Sequence, residues 1–188
     1  MLKSGSQREI SLTRTIPDRR VVLYSDAEGN GNVAAVVIAG GSRLFMHGRI
    51  PHRVRQMLFS RKTNIVAYEL LIAVAALVSF CPDLLKEASI EHFVDSTPAI
   101  ACIVKGHSKK KDLSDIAGRL WFECNFLMSN YRVSYVRSPC NLADGPSRGD
   151  LSLFEPLGFQ EVPFKLPAFK KSFDDWMQHP DEQDRLVV

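Results

Sequence analysis

The segment from Ile65 to Cys81 is the most apolar of the chain, and Glu69 is its only charged residue. Its continuous apolar run, Leu70 to Val78, is well short of the roughly 20 residues that a membrane-spanning helix needs. We therefore expect a buried helix from Asn64 to Phe80, apolar nearly all round and ended by Pro82. Burying an ionised carboxylate without a partner costs several kcal/mol. No Lys or Arg lies at helical spacing from Glu69, so something cationic should reach it.

The composition is that of a globular protein of 188 residues, with 45% apolar and 24% charged residues. These proportions exclude a disordered chain, a collagen-like repeat and a coiled coil. We expect an N-terminal extension or linker over residues 1–19, a folded domain over 20–150, and a C-terminal extension with an acidic end over 151–188. The N-terminus lacks the apolar segment of a secretory signal, so we expect an intracellular protein, cytoplasmic or nuclear and not secreted. The cysteines show neither zinc-ligand nor redox spacing, which indicates free thiols.

Positive charge is concentrated in the body of the chain. Residues 172–188 contain five acids and one arginine, a net charge of −4, so residues 1–171 carry +7. No acid lies between Glu28 and Glu69, an interval that contains six Arg and Lys residues, and a second cluster is Lys105, Lys109, Lys110 and Lys111. Because phosphate contacts supply most non-specific nucleic-acid affinity, this distribution favours a nucleic-acid partner over a merely solvated surface.

The order of apolar runs and turns predicts an α/β fold. Three strands joined by Gly- and Asn-rich turns form an antiparallel meander, and two later strands alternate with helices, which makes them parallel to the first. We therefore expect a mixed five-stranded sheet, three antiparallel strands and then two parallel ones, flanked by helices. The strands are 21–25, 33–39, 43–50, 90–94 and 131–137; a basic loop spans 51–62; and the helices after the buried one are 97–105, 113–128 and the short 141–148.

Three further acids lie at the ends of predicted elements. Asp26 and Asp95 each directly follow a strand, and Asp144 opens the last short helix. If the two strands are parallel neighbours, Asp26 and Asp95 emerge at the same sheet edge. Each acid taken alone could be a turn residue or a helix cap, but convergence with Glu69 explains all of them, because converging carboxylates bind hard divalent cations. Two such ions are the usual device for phosphodiester hydrolysis, which favours a nuclease.

The residues that follow the first strand argue against a dinucleotide-binding enzyme. Gly29, Gly31 and Ala34 follow a strand at the spacing of that motif, but the motif requires a helix next. Residues 33–41 instead favour a strand and a turn, and Arg49 stands about 20 residues on, where an acid would be expected.

Four motifs resemble those of the ribonuclease H domains attached to reverse transcriptases of retroelements. The similarity covers about Arg20 to Gly149, and the motifs occur in the order that the family has. They are Tyr24, Ser25, Asp26, Ala27 with Gly29 and Gly31; Asn64 through Glu69 with Leu70, Leu71 and Ala73; Phe93, Val94, Asp95, Ser96; and Asn141, Leu142, Ala143, Asp144 with Pro146, Ser147 and Arg148.

The resemblance implies a ribonuclease H-like fold and a metal-dependent endonuclease that hydrolyses the RNA strand of RNA/DNA hybrids during reverse transcription. It also implies an adjacent reverse transcriptase domain as partner, and two Mg2+ ions, for which Mn2+ can substitute. The implied catalytic residues and metal ligands are Asp26, Glu69, Asp95 and Asp144. Candidate nucleic-acid contacts are Asn64, Lys105, Lys109, Lys110, Arg61 and Lys62; the alternatives are a surface helix start for Asn64 and a solvated charge run for the lysines.

Two departures from the family pattern qualify these expectations. Many members carry a His in the loop before the last Asp, thought to help product release, whereas residues 138–143 contain none and Cys140 stands there. The interval between Asp95 and Asp144 leaves no room for the extra basic helix of some cellular members, so we expect affinity to depend on a neighbouring polymerase domain. A catalytically silent nucleic-acid-binding or scaffold module of the same fold remains the alternative, and a relative that cuts DNA or structured RNA is a third.

Overall fold

The computed structural model describes residues 19–167 and 185–187. Six strands form one mixed sheet: β1 (Arg20–Ala27), β2 (Asn32–Ala39), β3 (Ser42–Arg49), β4 (Ser89–Val94), β5 (Asn130–Tyr135) and β6 (Gln160–Glu161). Their order across the sheet is β5-β4-β1-β2-β3-β6. Two shorter strands, β7 (Lys165–Pro167) and β8 (Arg185–Val187), pair with each other in a separate antiparallel ribbon.

The predicted topology is confirmed. Strands β1, β2 and β3 are an antiparallel meander, and β4 and β5 run parallel to β1. The sheet has one strand more than expected, because β6 pairs in parallel with β3 at Leu44 and Phe45. That strand contains only two residues, both exposed, so it has no apolar alternation from which it could be predicted.

In the described ranges six α-helices accompany the sheet, and one of them lies where a loop was expected. They are α1 (His52–Met57), α2 (Ile65–Ser79), α3 (Pro82–Leu85), α4 (Thr97–Lys105), α5 (Lys111–Phe126) and α6 (Asp144–Ser147). Helix α1 lies in the basic segment 51–62, where Val54 is buried and Leu58 packs against the core. This spacing of four residues gives α1 a face that packs inward. The surrounding positive charge makes this apolar pattern hard to recognise in the sequence. None of the helices in the described ranges is long and apolar enough to cross a bilayer.

Helix α2 is the centre of the main core. Every residue from Ala67 to Val78 is buried, and the helix contacts β1, β2, α4 and α5. This confirms the expected buried helix and places Glu69, 3% exposed, inside the protein. A helix that is apolar all round can be accommodated only between layers, here between the sheet and α5.

The segment after residue 150 closes both sides of the sheet. Phe154 packs with Phe45 and Val36 on the face opposite α2, whereas Phe164 and Leu166 belong to the main core. A β-carbon at Gly48 would lie 3.0 Å from Phe164 Cδ1, so the glycine permits this close approach. The expected acidic end and residues 1–18 of the expected N-terminal extension lie outside the described residues, except for 185–187.

We expect Phe164→Ala to lower the free energy of unfolding by about 3–5 kcal/mol, because it leaves a cavity in the main core. Urea unfolding of the full chain measures this difference. The matched control is Phe126→Ala, since Phe126 is 58% exposed and its truncation should change stability by less than about 0.5 kcal/mol. Equal losses in the two variants would contradict a structural role for residues 160–167.

Candidate metal centre

Three acids from separate parts of the chain meet at one edge of the sheet. Asp26 lies near the end of β1, and Asp95 directly follows β4. Because β1 and β4 are parallel neighbours, with Tyr24 opposite Phe93, their carboxyl ends share this edge. Glu69 reaches it from α2, and one carboxylate oxygen from each of the three acids lies within 4.8 Å of the others. Asp26 and Glu69 are buried, and Asp95 is half-buried.

The fourth predicted ligand, Asp144, lies beside this group and not within it. It is the first residue of α6, and its Oδ1 accepts a hydrogen bond from Arg148 Nη2 at 2.7 Å. Its charge nevertheless contributes to the raised pKa of Asp26, which places it near the centre. The ion pair with Arg148 was missed by sequence reasoning, although the spacing of four residues is the ordinary signal for such a pair on a helix.

Burial and mutual repulsion oppose ionisation of the inner carboxylates. Burial raises the pKa of Glu69 to about 9, and the charges of Asp26 and Asp95 add to the effect. Burial likewise raises the pKa of Asp26 to about 6, opposed by the hydrogen bond from Ser147, while Asp95 and Asp144 raise it further. The protein therefore holds at least one of these groups in its protonated form near neutral pH unless a cation is bound.

The chain leaves one oxygen of Glu69 without a partner. Glu69 Oε1 accepts a hydrogen bond from the Ala27 backbone N–H at 3.3 Å. Within the described residues, Glu69 Oε2 is buried and has no hydrogen-bond partner, which is costly for a polar atom. The set of oxygen donors, their spacing and this unsatisfied oxygen fit a hard divalent cation such as Mg2+.

One short segment, residues 138–148, supports the carboxylates from the outside. Ser138 Oγ donates to Asp95 Oδ2 at 2.5 Å, and Ser147 Oγ donates to Asp26 Oδ2. Asn141 Nδ2 donates to the carbonyl oxygen of Ser25, the residue before Asp26, at 2.9 Å. These contacts fix the orientation of two carboxylates and the backbone that carries one of them. The contact of Ser138 with Asp95 was missed by sequence reasoning, because nothing local connects two residues 43 positions apart.

A buried polar chain supports the same strand from the opposite side. His92 is fully buried; its Nε2 is hydrogen-bonded to Ser25 Oγ at 2.8 Å, and its Nδ1 to the Tyr131 hydroxyl. Burial lowers the pKa of His92 to about 3, so the ring is neutral. The side chain of Ser25 is thus held by His92 and its carbonyl by Asn141, and the strand position next to Asp26 is fixed on both sides.

The predicted nucleic-acid contacts occupy different environments. Asn64 is the residue before α2, but its side chain makes no capping hydrogen bond, and its Oδ1 is buried without a hydrogen-bond partner among the described residues. Arg61 differs from expectation, since it forms a partly buried ion pair with Asp112 at the start of α5. The remaining candidates are exposed: Lys62, Lys105, Lys109 and Lys110.

Comparison with known proteins identifies the fold. No family model matches the sequence, and no curated protein does. Among solved structures, the N-terminal RNase H domain of a Mycobacterium tuberculosis protein matches with a TM-score of 0.52 and 19% identity, over 71% of this chain and 94% of that domain. The fold is of the ribonuclease H type. RNase H1 from the archaeon Halobacterium salinarum is also similar, with a TM-score of 0.49, 19% identity, and coverage of 68% of this chain and 95% of that one. At this identity the likeness establishes the fold, and function has to be argued from the site.

We expect Glu69→Gln to make the metal-free protein less sensitive to alkaline pH. Because the folded-state pKa of Glu69 is raised, its contribution to stability is fully present below the unfolded value of 4.5 and is lost as pH rises towards about 9. The melting temperature of the variant in EDTA should therefore exceed that of the wild type increasingly between pH 5 and pH 9. Parallel curves for the two proteins would contradict the buried, repelling carboxylate.

The control for this comparison is Glu155→Gln, which changes an exposed acid outside the site and should leave the pH dependence unchanged. At pH 8, addition of Mn2+ should raise the melting temperature of the wild type and of Glu155→Gln, because a ligand that binds only the folded state stabilises it. Glu69→Gln should lose most of this response.

Proposed function

We propose that this chain is a metal-dependent ribonuclease H that hydrolyses the RNA strand of RNA/DNA hybrids during reverse transcription of a retroelement. The observation that carries the proposal is the convergence of Asp26, Glu69 and Asp95 within 4.8 Å at the carboxyl edge of a ribonuclease H-type sheet. The retroelement context and an adjacent reverse transcriptase domain rest on the four motifs. We also propose an intracellular location, as expected from the sequence.

Asp26, Glu69 and Asp95 would hold the cation at the centre, and Asp144 would act from its margin. Two Mg2+ ions, or Mn2+ in their place, supply activation of a water molecule and stabilisation of the leaving oxygen in such sites. Ser147 and Ser138 keep Asp26 and Asp95 turned to fixed positions before any cation arrives. This arrangement lowers the reorganisation that binding requires.

The carboxylate of Asp144 forms an ion pair with Arg148 in the free protein. To act as a ligand it has to exchange the guanidinium for a cation, which is feasible because the arginine side chain is 61% exposed and an exposed ion pair is weak. Arg148 therefore neutralises the outer carboxylate while leaving the inner three available.

Recognition of RNA would come from Asn64 at the entrance to α2. Its amide oxygen is buried and has no hydrogen-bond partner in the described part of the chain, but the residue as a whole is half-buried. With the amide turned outward, the oxygen can accept a hydrogen bond from a 2′-hydroxyl, the group that distinguishes RNA from DNA. Phosphates of the hybrid would be held by exposed lysines, namely Lys62, Lys105, Lys109 and Lys110.

The second candidate function is a catalytically silent nucleic-acid-binding module. It is favoured by the ion pair of Asp144 with Arg148 and by Cys140, an exposed thiol in the loop where many family members have a His. The buried, unsatisfied Glu69 argues for the enzyme, because a binding module has no need for a cluster of repelling carboxylates in its interior.

We expect Asp26→Asn to abolish cleavage of a labelled RNA/DNA hybrid in Mg2+ or Mn2+ without lowering the melting temperature, since the substitution removes a ligand charge and keeps the side-chain shape. Cleavage is followed by gel electrophoresis of the labelled RNA strand. Asp150→Asn, an exposed acid just beyond α6, is the control and should retain activity. A wild-type protein that binds the hybrid but cleaves it with neither ion would establish the silent module instead.

We expect Arg148→Gln to lower the Mn2+ concentration at half-saturation by about two- to fivefold, because it frees Asp144 from a weak, exposed ion pair. The shift is read from thermal melts during Mn2+ titration, which need no substrate. The double variant Asp144→Asn/Arg148→Gln should lose this gain. An unchanged midpoint in Arg148→Gln would show that Asp144 takes no part in cation binding.

A further inference from the structure

A basic ridge, defined as residues 52–62, separates β3 from α2. It consists of α1 and the loop that follows, and residues 50–63 contain no acid. Its cationic side chains are Arg53, Arg55, Arg61 and Lys62. Arg61 is held in the ion pair with Asp112, whereas Arg53 and Lys62 are exposed.

Hydrogen bonds fix the chain near both ends of the ridge. Just before the ridge, the Ile50 N–H donates to the carbonyl oxygen of Gly31 at 2.8 Å, in the hairpin that follows Asp26. At the other end, the Phe59 N–H donates to Asp112 Oδ2 at 3.0 Å, at the start of α5. The ridge therefore extends from the hairpin beside Asp26 to α5.

Two large apolar side chains of the ridge are left in solvent among these charges. Met57 is 48% exposed and Phe59 is 50% exposed, although Val54 and Leu58 of the same segment face the core. A phenyl ring between cations suits nucleic acid, because cations hold phosphates while the ring stacks on a base. In a duplex the base faces are already stacked on one another, so an exposed ring gains such a contact only from an unpaired base.

We propose that the basic ridge binds an unpaired strand that continues from the hybrid held at the carboxylates, with a base stacked on Phe59 and a phosphate on Arg53. The proposal rests on the proposed function only for the position of the hybrid. Phe59 and Asn64 are five positions apart in the chain, a span of at most about 18 Å. An overhang of about ten nucleotides, at roughly 3.4 Å each even when stacked, is long enough to cover it.

The test compares two labelled substrates, a blunt RNA/DNA hybrid and the same hybrid with a ten-nucleotide single-stranded RNA overhang. Binding to the full chain is measured by fluorescence anisotropy in EDTA, so that cleavage does not interfere. We expect the wild type to prefer the overhang substrate, and Phe59→Ala to weaken binding of that substrate about tenfold while leaving the blunt one unchanged. Phe59→Trp should preserve the preference, because it keeps a stacking surface.

Matched controls are available on the same molecule. Phe126→Ala removes a phenyl ring of similar exposure at the far end of α5 and should leave both affinities unchanged. Arg53→Gln should reduce the slope of log affinity against log salt on the overhang substrate by about 0.7, the value for one lost phosphate contact. Lys86→Gln, an exposed lysine after α3, should not.

No preference of the wild type for the overhang, or equal effects of Phe59→Ala on both substrates, would overturn the proposal. Equal effects of Phe59→Ala and Phe126→Ala would overturn it as well. Cleavage of the blunt hybrid in Mg2+ is scored separately. Cleavage without a preference for the overhang rejects only the proposal for the ridge. A preference for the overhang without cleavage rejects only the proposed ribonuclease activity.

Discussion

The structure depends most on the carboxylate of Glu69, which is buried in the central helix beside Asp26 and Asp95. Burial and the neighbouring charges raise its pKa to about 9, and one of its oxygens lacks a hydrogen-bond partner among the described residues. A core helix such as α2 would be more stable with an apolar residue there. The position makes physical sense if a divalent cation supplies the missing charge, because the same features that destabilise the metal-free site strengthen an ion's binding.

The supporting contacts show how such a centre can exist before an ion arrives. Ser147 and Ser138 donate hydrogen bonds to Asp26 and Asp95, and these neutral donors relieve repulsion without competing as cations would. Asn141 and His92 fix the strand beside Asp26 from opposite sides. Most of these groups come from the segment after β5, so the centre has all of its supporting contacts only when that segment is packed against the sheet.

Much of the fold and of the carboxylate cluster could be predicted from the sequence. The meander follows from Gly and Asn turns, and the convergence of Asp26 with Asp95 follows from parallel neighbouring strands, both of which are local patterns combined with a topology rule. The roles of these residues in catalysis stay predictions. The features that could not be predicted depend on contacts between residues far apart in the chain. Arg61 pairs with Asp112, and Phe164 completes the core against Gly48. Helix α1 is held by two inward side chains, although its charge alone suggests a loop.

The positions of the arginine side chains around the carboxylates favour reversible binding of a cation. Within residues 19–167, Arg148 is the arginine that is paired with a predicted ligand. It contacts the outermost carboxylate and is largely exposed, so its ion pair with Asp144 is weak and reversible. Had a guanidinium reached Glu69, it would have satisfied the unpaired oxygen and closed the centre permanently, because a buried ion pair is costly to break. In the described part of the chain, Arg61 is paired with Asp112 and no cationic side chain satisfies Glu69 Oε2. A divalent cation bound there would offset the burial and the neighbouring charges that raise the pKa of Glu69 and Asp26.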